Sequence, residues 1–302
     1  MRRKFRLYFK LKDRLRKNFI FGNIFKPIRK NRLNLFYWEY LFSKNNVGDF
    51  LSSVIYKYVT DDLGLDRDKK LSKTKKLSII GSVIQILHPG TTIWGSGSLS
   101  GHLEDDLTFD VRAVRGPETY SLFKRKDLEC PMIYGDPAIL LPLFYKPQVA
   151  ENKFPYLIIP HHRKVEKYVE KYGEDVVLSP LTNDWKDFIN KIASSKLIIS
   201  SSLHGIVLAE SYSVPAVFLT DVEWNLLFKY DDYYYSTNRF VYKKASTVEE
   251  ALSLGAEKLP GNLDILRKGL CMSFPIDLFE NPQIKSMNDI HSGVIKDFLE
   301  SQ

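Results

Sequence analysis

The 302-residue chain is 44% hydrophobic and 26% charged, which is the balance of a globular protein with room for two domains of ordinary size. No apolar run reaches the ~18 residues of a membrane span. Cys130 and Cys271 have no metal-ligand or CxxC spacing, so a disulfide framework has no support and the reducing cytoplasm is the expected compartment. The net charge of +8 is local: residues 1–32 hold 13 of the 44 basic side chains and one of the 36 acidic ones, leaving 31 against 35. A mildly acidic body of this kind argues against nucleic acid as a partner.

In residues 1–32, Leu7, Leu11, Leu15 and Phe19 recur every fourth position between basic flanks. On a helix this is an apolar stripe suited to a membrane interface, where anionic lipid contributes about 1 kcal/mol per nearby Lys or Arg. The segment lacks the apolar core and cleavage site of a secretory signal. An amphipathic helix docked on the protein's own body gives the same pattern, and both readings stay open.

From residue 33 the pattern alternates between strands and helices. Strands are expected at 33–38, 77–80, 91–94 and 109–114. Helices are expected at 50–59, where Leu51, Val54, Ile55 and Tyr58 share a face, at 83–87, and at 116–124 with Pro117 in the first turn. Residues 131–134 run into Gly135-Asp136-Pro137, and 139–143 close this half. After a Pro- and Lys-containing stretch (142–155), strands at 156–159, 176–178, 197–199 and 216–219 alternate with helices at 164–172, 184–193 and from Ile206 to Tyr212. FKYDDYYYS (228–236) looks irregular, a helix is expected at 247–257, and a last helix at 290–299 would pack back on the first half. Two alternating series imply α/β architecture with two parallel-sheet, Rossmann-like domains at 33–148 and 149–260, followed by a helical tail at 261–302.

The chemistry-bearing residues fall in loops at expected strand carboxyl ends, where α/β proteins bind ligands. Asn46 and Asp49 precede a helix, as ligand contact and cap. Gly95 and Ser96 open a GSGS loop whose N–H groups could meet a phosphate, although the motif lacks GxGxxG or GKS/T and a plain turn is the alternative. Arg115, between a strand and a helix, can grip phosphate or carboxylate bidentately, whereas Arg112 fits a surface ion pair. In His161-His162-Arg163 the arginine is the better anion contact. Ser200, Ser201 and Ser202 lead into His204-Gly205 at a helix start, where a serine hydroxyl can cap and an imidazole can exchange protons at neutral pH. Lys229 is either a point charge for phosphate or an exposed lysine among tyrosines.

Taken together, NNVGD (45–49), WGSGS (94–98), VRAVRGPET (111–119), YGDPAILL (134–141), SSSLHGIVLAESYSVPAV (200–217) and FKYDDYY (228–234) resemble the polysaccharide pyruvyl transferase family. The resemblance implies two Rossmann-like domains arranged as in GT-B glycosyltransferases, with the active site in the cleft between them. It implies phosphoenolpyruvate as donor, no further cofactor and no metal. The acceptor would be a pair of sugar hydroxyls, on a growing or lipid-linked saccharide at the cytoplasmic membrane face, giving a pyruvate ketal and phosphate. His204, Arg115 and Lys229 correspond to the family's catalytic and anion-handling residues. Many members carry an arginine two residues before the histidine. Here that residue is Ser202, so either another cation such as Arg163 takes the charge or the chain belongs to a subgroup with a hydroxyl there. The competing expectations are a nucleotide-sugar glycosyltransferase, with Glu210 as ribose-binding carboxylate, and a non-catalytic membrane-bound scaffold.

Overall fold

The computed structural model describes residues 31–38, 44–104, 108–150, 153–280 and 282–302. The basic amphipathic stretch of residues 1–30 lies outside them. Two four-stranded parallel sheets organise the chain. The first contains β1 (Leu33–Phe36), β2 (Lys75–Ser78), β3 (Thr91–Trp94) and β4 (Phe109–Ala113), paired in chain order. The second contains β5 (Leu157–Ile159), β6 (Ile198–Ser200), β7 (Ala216–Leu219) and β8 (Lys244–Ala245), likewise in order. Strands β3, β5, β6 and β7 are buried at every residue, as short apolar runs covered on both faces should be.

Helices cover these sheets. On the first are α1 (Val47–Asp62) and α2 (Pro117–Lys124), followed by a 3₁₀ turn (Pro137–Leu140) running into the single turn α3 (Leu141–Phe144). On the second are α4 (Val165–Tyr172), α5 (Trp185–Ala193), α6 (Leu203–Ser211), α7 (Phe228–Ser236) and α8 (Val248–Leu254). Residues 176–178 form no strand but a single bridge, Val177 to Ile158, and 83–87 hold only a 3₁₀ turn (Ile84–Ile86). The stretch 228–236 is an ordered helix, because Tyr230, Tyr233 and Tyr234 bury their rings where a sequence reader sees polar residues.

Every residue of α6 is buried, so this helix is apolar all round and sits inside the molecule. Its Ile206–Ala209 stretch shares one core with Leu51 and Ile55 of α1 and with Ala138–Leu141. The two sheets therefore meet across a common apolar layer, while separate clusters line their outer faces, around Ile158 and Val217 on one and Ile93 and Phe123 on the other. The C-terminal helices α9 (Leu263–Met272) and α10 (Val294–Glu300) close the first half. Trp94 Nε1 donates to the Leu270 carbonyl at 2.9 Å, Arg112 pairs with Asp277 at 2.7 Å, and the Asp62 carboxylate accepts from the Val294 and Ile295 N–H groups at the start of α10.

Gly205 lets α6 lie on the second sheet, because a Cβ there would overlap Ser200 Oγ and sit 3.0 Å from Ile159 Cγ2. Gly205→Ala is expected to cost about 1–3 kcal/mol by overpacking, outweighing the gain in helix propensity. Urea unfolding checks this, and a neutral or stabilised variant would show that the contact has slack.

Candidate active site

Each candidate loop follows a strand's carboxyl end, and the two sheets present these ends to one cleft of about 460 Å³. Trp38, Asn46, Asp49, Ser82 and Leu99 line it from the first half, and His161, His162, Arg163, Ser202, His204, Glu223 and Lys229 from the second. The structure thus brings together His204, Lys229, Asn46, Asp49, Ser202 and Arg163.

His204 is held by the chain on every side. The serine loop before it is locked: Ser202 N–H donates to Ser200 Oγ at 3.0 Å, His161 N–H donates to Ser201 Oγ at 2.8 Å, and Tyr230 OH donates to the Ser201 carbonyl at 2.7 Å. Ser202 occupies the N-cap of α6, but its hydroxyl makes no capping bond, which leaves the first-turn N–H groups of α6 uncapped at the cleft. The imidazole packs on Gly48, where any Cβ would overlap the ring. Its Nε2 lies 3.4 Å from Asp136 Oδ2, buried and without a hydrogen bond. Asp136 is itself fixed, since Oδ1 accepts from the Ala138 N–H at 3.0 Å and caps the 3₁₀ turn. A carboxylate in that place steadies the ring.

Burial in the cleft pushes the Asp49 carboxyl up to about 6, against the pull of His204 and Lys229 and with Asp136 adding to the rise. Burial pushes the Lys229 ammonium down to about 8, assisted by Arg115 and Arg163 and opposed by Asp49. Lys229 is 8% exposed, lies 5.1 Å over the Tyr230 ring, and has no carboxylate within ion-pair distance among the described residues. Burial chiefly, and then their cationic neighbours, take His161 to about 3 and His162 to about 4, so both are neutral at physiological pH. Arg163 stands exposed at the rim, 3.5 Å from Glu223. Among the described residues no group of three or more His, Cys, Asp or Glu could hold a metal ion.

Three expected contacts are placed elsewhere. Arg115 is buried beneath the cleft, donating to Asp232 at 2.9 Å, to Ser82 Oγ at 2.6 Å and to the Ser98 carbonyl at 2.7 Å. Its contact Ser82 lines the cleft, and its charge acts on Lys229 there. Gly95 and Ser96 do not reach the cleft lining, because the GSGS loop spends its polar groups on the fold. Gly95 N–H donates to the Ala113 carbonyl at 2.8 Å, Ser96 Oγ pairs with Ser78 Oγ at 2.8 Å, and Gly97 N–H donates to the Gly81 carbonyl at 3.0 Å. Glu210 is also committed away from the cleft, to Arg239 at 2.6 and 2.7 Å and to Tyr233 OH at 2.6 Å. Two residues had gone unassigned in the sequence. Asp136 carried a legible signal, an Asp-Pro opening an apolar run. Ser82 carried none.

The lowered Lys229 means that the unfolded chain binds a proton more tightly there, so wild-type stability rises with pH between about 8 and 10.5. Lys229→Met is therefore expected to be more stable than wild type at pH 7, by on the order of 3 kcal/mol. Chemical denaturation at pH 7 and pH 10 should show that gap closing at the higher pH.

The family model for polysaccharide pyruvyl transferases matches residues 7–221. The chain is 30% identical over 148 residues to the uncharacterised protein L143 of Acanthamoeba polyphaga mimivirus, covering 46% of this chain and 51% of that one. It is 25% identical over 218 residues to the succinoglycan biosynthesis protein ExoV of Rhizobium meliloti (strain 1021), covering 66% and 63%. The alignments thus span about half of the first relative and less than two thirds of the second. No solved structure matches the chain. Among the described residues no helix is long and apolar enough to cross a membrane. The family match runs from the basic segment through β7 and takes in His204, the GSGS loop and Asp136, so the chain belongs to the polysaccharide pyruvyl transferase family.

Proposed function

We propose that the cleft binds phosphoenolpyruvate and transfers its pyruvyl group to two hydroxyls of a saccharide, releasing phosphate and leaving a pyruvate ketal on a polysaccharide or its precursor. The observation that carries this reading is Lys229, an enclosed ammonium with no carboxylate paired to it among the described residues, beside a histidine backed by a carboxylate. A phosphate with a carboxylate one carbon away suits such a site. Lys229 and the uncapped N–H groups of α6 offer one anion pole, and Arg163 at the rim offers a second. In this reading Arg163 supplies the charge that other members place at the position of Ser202, and Arg115 acts through Ser82. The two sheets facing one cleft with their carboxyl ends support a GT-B-like arrangement, and the family's saccharide acceptor would meet Arg163 and Glu223, both exposed at the cleft. The commitment of Glu210 to Arg239 takes that carboxylate out of the ribose-binding place a nucleotide-sugar reading would give it.

The chemistry requires protonation of carbon 3 of the enol, which makes carbon 2 electrophilic, and deprotonation of the attacking hydroxyls. His204 is positioned for proton transfer, with Asp136 offsetting the charge it gains. His204→Ala is expected to lower phosphate release from phosphoenolpyruvate at least ~100-fold while the unfolding midpoint stays within a few degrees. Near-normal turnover would remove His204 from the chemistry. Thermal-shift titration separates donors: stabilisation by phosphoenolpyruvate but not by UDP- or GDP-sugars is expected, and the reverse would favour glycosyl transfer.

We further place the protein at the inner face of the cell membrane, held peripherally by residues 1–32 near lipid-linked saccharide. Co-sedimentation with vesicles containing anionic lipid should be strong at low salt, fall with ionic strength and disappear when residues 1–32 are removed. Binding that survives the truncation would place the contact elsewhere.

A further inference from the structure

Ketal formation moves two protons, and a single imidazole serves both only by visiting carbon 3, each hydroxyl and the phosphate in turn. Each of the two acceptor hydroxyls gives one up. One ends on carbon 3, which becomes a methyl group, and the other on the departing phosphate. A second proton-transfer group facing His204 across the substrate would close the cycle inside the cleft.

Asp49 stands beside His204 in the cleft. It follows Gly48, whose lack of a side chain is what lets the His204 ring seat against the start of α1. Both residues line the same cleft. Asp49 is also available. The N-cap of α1 is supplied by Asn46, whose Oδ1 accepts from Gly48 N–H at 3.1 Å, and Asp49 enters no ion pair among the described residues. The charged groups that face it come from three other elements: His204 of α6, Lys229 of α7 and Asp136 of the 3₁₀ turn. Its Oδ1 lies over the main chain at Gly81, a position with φ of +114° where a Cβ would stand 3.2 Å away. That close glycine floor helps to strip water from the carboxyl. The protonated form is consequently held to about pH 6, two units above an ordinary aspartate, and a bound phosphoenolpyruvate anion raises it further by like-charge repulsion.

Resting on the donor assignment above, we infer that Asp49 is the acid that protonates carbon 3 of phosphoenolpyruvate and His204 is the base that opposes it, the two exchanging roles between the halves of the reaction. In the first half the Asp49 carboxyl gives its proton to carbon 3, the first hydroxyl oxygen bonds to carbon 2, and His204 takes that hydroxyl's proton. In the second half the bond from carbon 2 to the phosphate oxygen breaks and the His204 imidazolium gives its proton to the phosphate. The second hydroxyl oxygen then bonds to carbon 2 and returns its proton to the Asp49 carboxylate. Both residues end as they began, every proton is accounted for, and no external acid or base is consumed. Asp136 offsets the imidazolium between the halves.

Two measurements on the full chain test this. In calorimetric titration with phosphoenolpyruvate from pH 5.5 to 8, wild-type affinity is expected to fall relative to Asp49→Asn as the pH rises through 6, because only the wild type gains a repelling carboxylate. Parallel pH curves for the two proteins would overturn the assignment. In phosphate-release assays at pH 5.5 with hexopyranosides that offer 1,2- and 1,3-diols, Asp49→Asn is expected to lose about 10²–10⁴-fold in kcat with KM for phosphoenolpyruvate changed less than about threefold. A loss confined to KM, or kcat within tenfold of wild type, would reduce Asp49 to a binding contact. A wild type that gives no heat with phosphoenolpyruvate removes the donor reading and this inference together, whereas wild-type turnover with an unaffected Asp49→Asn removes this inference alone.

Discussion

One buried ion pair sets the geometry on which the cleft depends. Asp232 of α7 is fully enclosed and accepts from Arg115 of the first half at 2.9 Å, while also accepting from the Thr119 N–H at 2.8 Å and Thr119 Oγ1 at 2.7 Å. Burying two charges costs several kcal/mol each, and a pair of this kind persists only when further hydrogen bonds satisfy both partners. Here Ser82 and the Ser98 carbonyl complete Arg115, and the N-terminus of α2 completes Asp232. The pair pins α7 across the boundary between the sheets. Lys229, one turn earlier on the same helix, is carried into the cleft by that constraint rather than by any bond of its own.

The cleft is consequently a place where folding works against its own preferences. A carboxyl is held partly protonated, an ammonium is enclosed without an ion pair among the described residues, and a histidine nitrogen is buried without a hydrogen bond. Each is unfavourable in itself. The stability comes from elsewhere, above all from the apolar layer built around α6. The outer ion pairs, such as Arg163 with Glu223, lie in solvent and contribute little.

How much of this could be read in advance follows from the physics of each residue. The two alternating series, the strand ends and the place of His204 beside one of them were legible, because apolar runs and helix periodicity report burial locally. Asn46, Asp49, Ser202, Arg163 and Lys229 were legible as loop or helix-start residues of the right chemistry, and the structure gathers them in one cleft. Gly95 and Ser96 were misplaced since a glycine-serine loop reads the same whether its N–H groups meet a ligand or, as here, the neighbouring strands. Arg115 was recognised as an anion-gripping arginine, but the anion it holds in the structure is Asp232, more than a hundred residues away, which no local pattern could announce. The helical character of 228–236 was hidden for a related reason: its buried face is made of tyrosines, an aspartate and a lysine.

The wrapping of α9 and α10 over the first half has a consequence for synthesis. The indole of Trp94, in the third strand made, finds its acceptors in Leu270 and Ser273, Arg112 adds Asp277 to its neighbour Asp110, and Asp62 waits for the first turn of α10. The layer around Leu51 and Ile55 likewise closes on Leu266, Leu270 and Phe274. While the ribosome is still making the second sheet, the first one therefore carries an uncovered apolar surface, and for that interval its protection falls to chaperones rather than to its own sequence.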